Sequence, residues 1–238
     1  MDRRPILFGL GIVTAGIIAG CFLQYRNETT NKECTRQLFA MDTVMTLTYY
    51  GQDRESGREA LEEGVAAVYE LEDLLSATAP DSEISALNEA GQAHLSPDTA
   101  QPLSAALELC ALTGGALDIT AYPAVEAWGF TTGEYRVPNQ AELEELGDRI
   151  DYTQVSLDQE GASLPDGMKL DLGAVAKGYT ADRLAKLAQE RGITSALLDL
   201  GQSTILALGA KPDGSPWRIG IQDPQGEGYL GVLELEGQ

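Results

Sequence analysis

Between Met45 and Tyr50 the chain reads MTLTYY, an alternation of apolar and hydroxyl-bearing residues that predicts a strand. Gly51 to Arg54 turns the chain. From Glu55 to Leu75 the residues Leu61, Val65, Val68, Leu71 and Leu75 recur at helical spacing with charges between them. The segment SPDTAQPLSAALELCALTGG predicts a second helix, with Ser96 as N-cap and Pro97 at the first helical position. Its apolar stripe is Leu103, Ala106, Leu107 and Cys110, and Gly114-Gly115 stops it. Pro123 interrupts any long element after that. VSLDQEGASL alternates and turns at Gly161, which predicts a hairpin. A third helix is predicted over Thr180–Arg191, closed by Gly192. SALLDLG, WRIGIQD and YLGVLELE read as strands separated by Gly- and Pro-containing turns. The order of strand, helices, strands, helix and strands predicts an α+β fold rather than an alternating parallel one.

The N-terminus follows a different pattern. MDRRPILFGLGIVTAGIIAGC pairs two arginines with an apolar run from Ile6 to Ala19, and Cys21 follows small residues. This resembles a bacterial lipoprotein signal cleaved before Cys21. An uncleaved membrane anchor is the alternative, because the run continues through Phe22 and Leu23. Both place the rest of the chain outside the cytoplasm, attached to the cell membrane. Gln24 to Gln37 is polar and predicts a tether. The expected organisation is 1–21 signal or anchor, 22–37 tether and 38–238 folded domain.

Charge and cysteine content narrow the chemistry. A net charge of −21 over 238 residues excludes a nucleic-acid partner, which requires a basic patch. The chain has three cysteines, no CxxC pair and one histidine, His94, so a Cys/His zinc site is excluded. Any bound metal is expected to be a hard ion held by oxygens. A Cys34–Cys110 disulfide is open to an exported protein, although Cys110 lies in an apolar helical stripe and reads better as core. His94 falls outside every motif.

The stretch MKLDLGAVAKGYTADRL, from Met168 to Leu184, reads as a strand, a carboxylate, a glycine turn, a lysine and a helix. Together with MDT (41–43), GGALDIT (114–120), AWGF (127–130) and WRIGIQDP (217–224), in that order and spacing, it resembles the ApbE family of FAD:protein FMN transferases. The resemblance covers about residues 38–236. It implies transfer of FMN from FAD to a Thr or Ser hydroxyl of a partner protein, with release of AMP and with Mg2+ as the metal. Implied FAD contacts are Met41, Thr78, Ala116, Leu117, Asp118, Asp171 and Lys177. The implied metal ligand is Ala174, through its carbonyl because its side chain has no donor. Implied partners are membrane-linked electron-transfer proteins. Metal-dependent hydrolysis of FAD and a non-enzymatic flavin-binding lipoprotein are the competing readings.

Three positions depart from the family pattern. Asp42 stands where the family carries the glycine of Met-Gly-Thr. Gln202 stands where it carries the second glycine of a Gly-Gly turn. Thr78 falls where relatives often carry a stacking aromatic. The family's Thr-Ser-Gly, HxxDP and ADxxxT segments are not in these 238 residues. The expected catalytic base and the remaining Asp and Thr metal ligands belong to them. The expectation is therefore a fold incomplete at its C-terminus that transfers weakly.

Overall fold

The computed structural model describes residues 32–235. The signal or anchor expected over 1–21, and the tether as far as position 31, lie outside the described residues. Glu33 to Gln37, expected as tether, belongs instead to strand β1 (Glu33–Ala40). Cys34, Leu38 and Ala40 are buried on its inner face. Thr35 and Gln37 face solvent and meet Thr48 and Thr46 of β2 (Thr43–Tyr50) at 3.1 and 3.4 Å. The segment looks polar because an edge strand covered on one face keeps only alternate residues apolar. Arg36 also breaks the pattern by reaching Glu62 at 3.5 Å.

The main sheet is antiparallel with order β1-β2-β6-β7, where β6 is Ser195–Asp199 and β7 is Ile205–Leu208. Met45, Leu47 and Tyr49 alternate inward from β2 and are buried. Each such burial contributes about 1.5–3 kcal/mol. Two helices cover them, α1 (Arg54–Leu75) and α6 (Gly173–Glu190). Asp53 starts α1 in a capping box, its carboxylate accepting from the Ser56 amide at 2.8 Å.

A second apolar cluster forms beyond the sheet. It gathers Leu71 and Leu75 from the end of α1, Ile84 and Leu87 of α2 (Glu83–Ala90), and Leu103, Ala106 and Cys110 of α3 (Pro97–Leu112). A small sheet, β3 (Gln92–Ala93), β5 (Ala162–Ser163) and β4 (Ser156–Leu157), lies against it. Its β4–β5 pair is the expected hairpin. Short helices α4 (Tyr122–Ala127) and α5 (Gln140–Gly147) follow α3, and β8 (Trp217–Gln222) pairs with β9 (Tyr229–Leu235) in a separate hairpin. All strand pairings among the described residues are antiparallel, in keeping with an α+β fold.

Two further readings are corrected. Helix α6 begins at Gly173, seven residues before the expected Thr180, because Gly178 faces open space and does not break it. Met168–Leu172 is not a strand. The Asn88 side chain takes a strand partner's place, donating to the Leu170 carbonyl and accepting from its amide, each at 2.8 Å. Cys34 and Cys110 are both buried free thiols, in different core clusters. Among the described residues no helix is long and apolar enough to cross a membrane.

Candidate functional site

Met41 packs against both core clusters, and a cavity of ≈ 620 Å³ opens at their seam beside it. Its walls come from four places. Met41 and Asp42 form the β1–β2 turn, Glu72 and Leu75 end α1, and Ser76 to Thr78 follow. Tyr122, Val125 and Phe130 come from α4 and the loop beyond it. Asp171, Gly173, Ala176 and Lys177 come from the start of α6.

The turn at Met41–Asp42 is the most constrained part. Ala40 pairs with Thr43, so two residues reverse the chain. Both have positive φ, 49° and 58°, the sense of a type I′ turn normally filled by Asn-Gly or Gly-Gly. A side chain there costs roughly 1–2 kcal/mol. Glu72 holds the turn, its Oε1 accepting from the Met41 amide at 2.6 Å. Thr180 donates to the Ala176 carbonyl at 2.8 Å and lies 3.9 Å from the Met41 sulfur. A second turn abuts the first: a Cβ on Gly201 would fall 2.4 Å from Thr43 Oγ1. Its neighbour Gln202 has φ 63°, and its amide donates to Asp199 Oδ1 at 2.6 Å. Asp42 and Gln202 thus adopt the left-handed conformation that the family's glycines permit.

On the opposite wall, the Asp171 amide donates to the Ile119 carbonyl at 2.9 Å, and Asp171 Oδ1 accepts from the Gly173 amide at 3.0 Å. The carboxylate therefore sits at the N-terminus of α6, where the helix dipole favours negative charge. Lys177 follows one turn later, half-buried on the same wall. The Thr78 amide donates to Ser76 Oγ at 3.2 Å, which fixes Thr78 at the cavity edge. Tyr122 donates to the Ala77 carbonyl at 3.2 Å. Burial, then Glu126 and Asp171, push its hydroxyl above the ordinary range, so it stays a neutral donor.

The cavity brings together Met41, Thr78, Asp171 and Lys177. It does not include Ala116, Leu117, Asp118 or Ala174 among its lining residues. The Leu117 amide donates to Thr113 Oγ1 at 3.1 Å, and its side chain leans on the second cluster. Asp118 Oδ1 accepts from the Thr120 amide (2.9 Å) and hydroxyl (2.6 Å), and Oδ2 from the Tyr152 amide (3.1 Å). Ala116 and Ala174 are both exposed, in a loop and at the start of α6 respectively. Among the described residues no group of three or more His, Cys, Asp or Glu is placed to hold a metal ion. The described residues therefore do not by themselves fit a magnesium cage.

Sequence reasoning missed Glu72, Tyr122 and Phe130. Glu72 carried a signal: it lies four residues after Val68 and three before Leu75, on the edge of the stripe that enters the core. Phe130 ends the AWGF motif (127–130) but was given no role there, and Tyr122 carried no signal, because only the packing of α4 turns it toward the cavity.

A strand-and-helix layer joined to a second cluster, with a cavity of mixed polarity at the seam bounded by a left-handed hairpin turn and a helix start, defines an α+β fold. The chain belongs to the ApbE family, whose model matches residues 41–238. It is 35% identical over 194 residues to the FAD:protein FMN transferase of Treponema pallidum, covering 73% of this chain and 53% of the relative. It is 31% identical over 221 residues to that of Haemophilus influenzae, covering 85% and 63%. The crystal structure of the ApbE protein from Thermotoga maritima superposes with a TM-score of 0.80 at 26% identity, over 86% of this chain and 68% of that one. Flavin transferase ApbE from Vibrio cholerae gives a TM-score of 0.77 at 27% identity, over 86% and 69%. This chain thus spans 53% and 63% of the lengths of the two transferases named.

Proposed function

We propose that the seam cavity binds FAD and that the protein transfers its FMN half to a Thr or Ser hydroxyl of a partner protein. The hydroxyl oxygen attacks the phosphorus on the FMN side of the diphosphate. The bond to the AMP phosphate breaks, AMP leaves, and the hydroxyl proton passes to a base. The observation that carries this reading is the convergence of Met41, Thr78, Asp171 and Lys177 on one cavity large enough for part of a dinucleotide. Family membership and the transferase names of the relatives support the same reaction.

Each residue has a distinct task in this reading. Lys177 sets a positive charge beside the diphosphate, where charge builds as the bond to AMP breaks. Asp171, an acceptor already turned to the α6 amide, suits a ribose or ribityl hydroxyl better than phosphate. Met41 lays its thioether against a ring. Thr78 gives an edge contact and cannot stack. The transfer is proposed to be metal-dependent: a bound Mg2+ would take the Ala174 carbonyl as one oxygen ligand and neutralise diphosphate charge, with Lys177 adding a positive charge beside it. The acceptor is proposed to be a membrane-linked electron-transfer protein outside the cytoplasm, a placement that rests on the lipoprotein signal or membrane anchor expected over 1–21.

The experiment is a flavinylation assay with FAD, Mg2+ and a threonine-bearing redox subunit, read as in-gel flavin fluorescence after denaturation. A fluorescent acceptor band is expected, with a fall of about tenfold or more in its rate for Lys177→Met, a loss of at least ~1.4 kcal/mol of transition-state stabilisation. FAD binding that is equal in the parent, Lys177→Met and Asp171→Ala proteins would place the flavin elsewhere and sink the reading.

A further inference from the structure

The loop beyond α4 leaves the cavity wall and closes on itself. The Arg136 amide donates to the Trp128 carbonyl at 3.1 Å and the Gly133 amide to the Gly129 carbonyl at 2.9 Å. Residues 128–136 therefore form a compact loop with joined ends, a type of surface element often used for binding. Gly129, at φ 80°, permits the closure: a Cβ there would fall 2.0 Å from the Glu134 carbonyl oxygen.

The loop turns apolar groups outward. Phe130, Tyr135 and Val137 are 62%, 73% and 79% exposed. The Phe130 and Tyr135 rings meet edge to face, centroids 5.6 Å apart. Phe130 also lines the seam cavity, so the patch and the cavity form one continuous surface. The flank is acidic. Arg136 is paired with Glu142 of α5 (2.8 Å), and Arg149 with Glu145 (2.8 Å). That leaves Glu134, Glu144 and Asp148 without an ion-pair partner among the described residues.

We propose that this loop and the acidic side of α5 are the docking surface for the acceptor polypeptide. An extended segment lays an apolar side chain on the Phe130–Tyr135 pair and sets Lys or Arg beside Glu134, Glu144 and Asp148. Its hydroxyl residue then reaches the cavity past Phe130. Charge complementarity selects this occupant: unpaired carboxylates repel an anionic lipid surface and attract a basic segment, while the exposed rings require apolar cover. Only the hydroxyl's fate rests on the transfer reading; the docking is a binding event in its own right.

The test is fluorescence anisotropy with a labelled peptide in which one threonine is flanked by leucines and lysines. Its partners in the assay are the parent protein and the double variant Tyr135→Ser, Val137→Ser, neither of which lines the cavity. The double variant should weaken peptide binding about tenfold or more while leaving FAD affinity unchanged. A peptide with glutamates for the lysines should bind the parent protein about tenfold or more weakly as well. Equal peptide affinity for parent and variant, or no peptide binding at all, overturns the proposal. So does loss, in the variant, of sedimentation with phosphatidylcholine vesicles, which would assign the loop to a lipid surface. Flavin attachment is followed in the same samples: its failure with peptide binding intact sinks the transfer reading alone.

Discussion

Tyr49 shows how one buried atom shapes stability. Its hydroxyl is buried with no hydrogen-bond partner among the described residues, packed where a Cβ on Gly64 would fall 2.8 Å away. Burial, and then Glu63, drive its pKa well above the tyrosine range. The folded state holds this proton to higher pH than the unfolded chain does. The resulting contribution is complete below about pH 10, where a free tyrosine titrates, and is lost as pH rises beyond it. Tyr49→Phe removes an unsatisfied hydroxyl and is expected to stabilise the fold by about 1 kcal/mol in urea titrations. Its advantage over the parent should widen above pH 10, and a gap that closes there would contradict the assignment. Gln202 is the second case. Its left-handed backbone costs roughly 1–2 kcal/mol, against roughly 0.5–1 kcal/mol of added chain entropy for glycine. Gln202→Gly should therefore raise the thermal midpoint by about 2–4 °C, and Asp42→Gly by less, because Asp tolerates this conformation.

Elements act through their ends. The β1–β2 turn is fixed to α1 by the Glu72–Met41 bond at 2.6 Å, which ties a strained hairpin to the last turn of a helix. Glu72→Ala frees the Met41 amide and should weaken FAD binding about tenfold by fluorescence quenching, whereas Glu72→Gln keeps an acceptor and should retain most of the affinity. Equal losses in the two variants would mean that the charge, not the bond, matters. Asp118 does the same for the 3₁₀ turn at Ile119–Ala121, clasping Thr120 and Tyr152. Asp118→Ala should lower stability by about 1.5–3 kcal/mol, read from the urea midpoint. The β1 strand shows what an element conceals from pattern reading: Thr35, Arg36 and Gln37 look like linker until β2 pairs with them.

At the scale of the whole molecule, α1 and α6 each serve both clusters. Leu61 and Val68 of α1 belong to the first, and Leu71 and Leu75 to the second; Leu184 and Ala176 of α6 divide likewise. The cavity exists because these shared helices hold the clusters side by side. Unfolding is therefore expected to be a single transition, coincident by far-UV circular dichroism and tryptophan fluorescence. Leu184→Ala should shift it whole by about 2.7–5 kcal/mol, and two separated transitions would show that the clusters fold independently.

Helical and alternating periodicity needs only neighbours along the chain, so α1, α3 and the strands β2, β6, β8 and β9 were legible from residue order, though not the pairing of β8 with β9. The family resemblance likewise pointed to Met41, Asp171 and Lys177, which the structure brings to one cavity. Other features depend on partners far away in sequence. An amide from Asn88 replaces a strand beside Leu170, Glu72 restrains a turn 31 residues before it, and packing of α4 points Tyr122 and Phe130 into the seam. Long-range partners of this kind leave no local period, because they meet only when long loops close, at an entropic cost that the assembled core offsets.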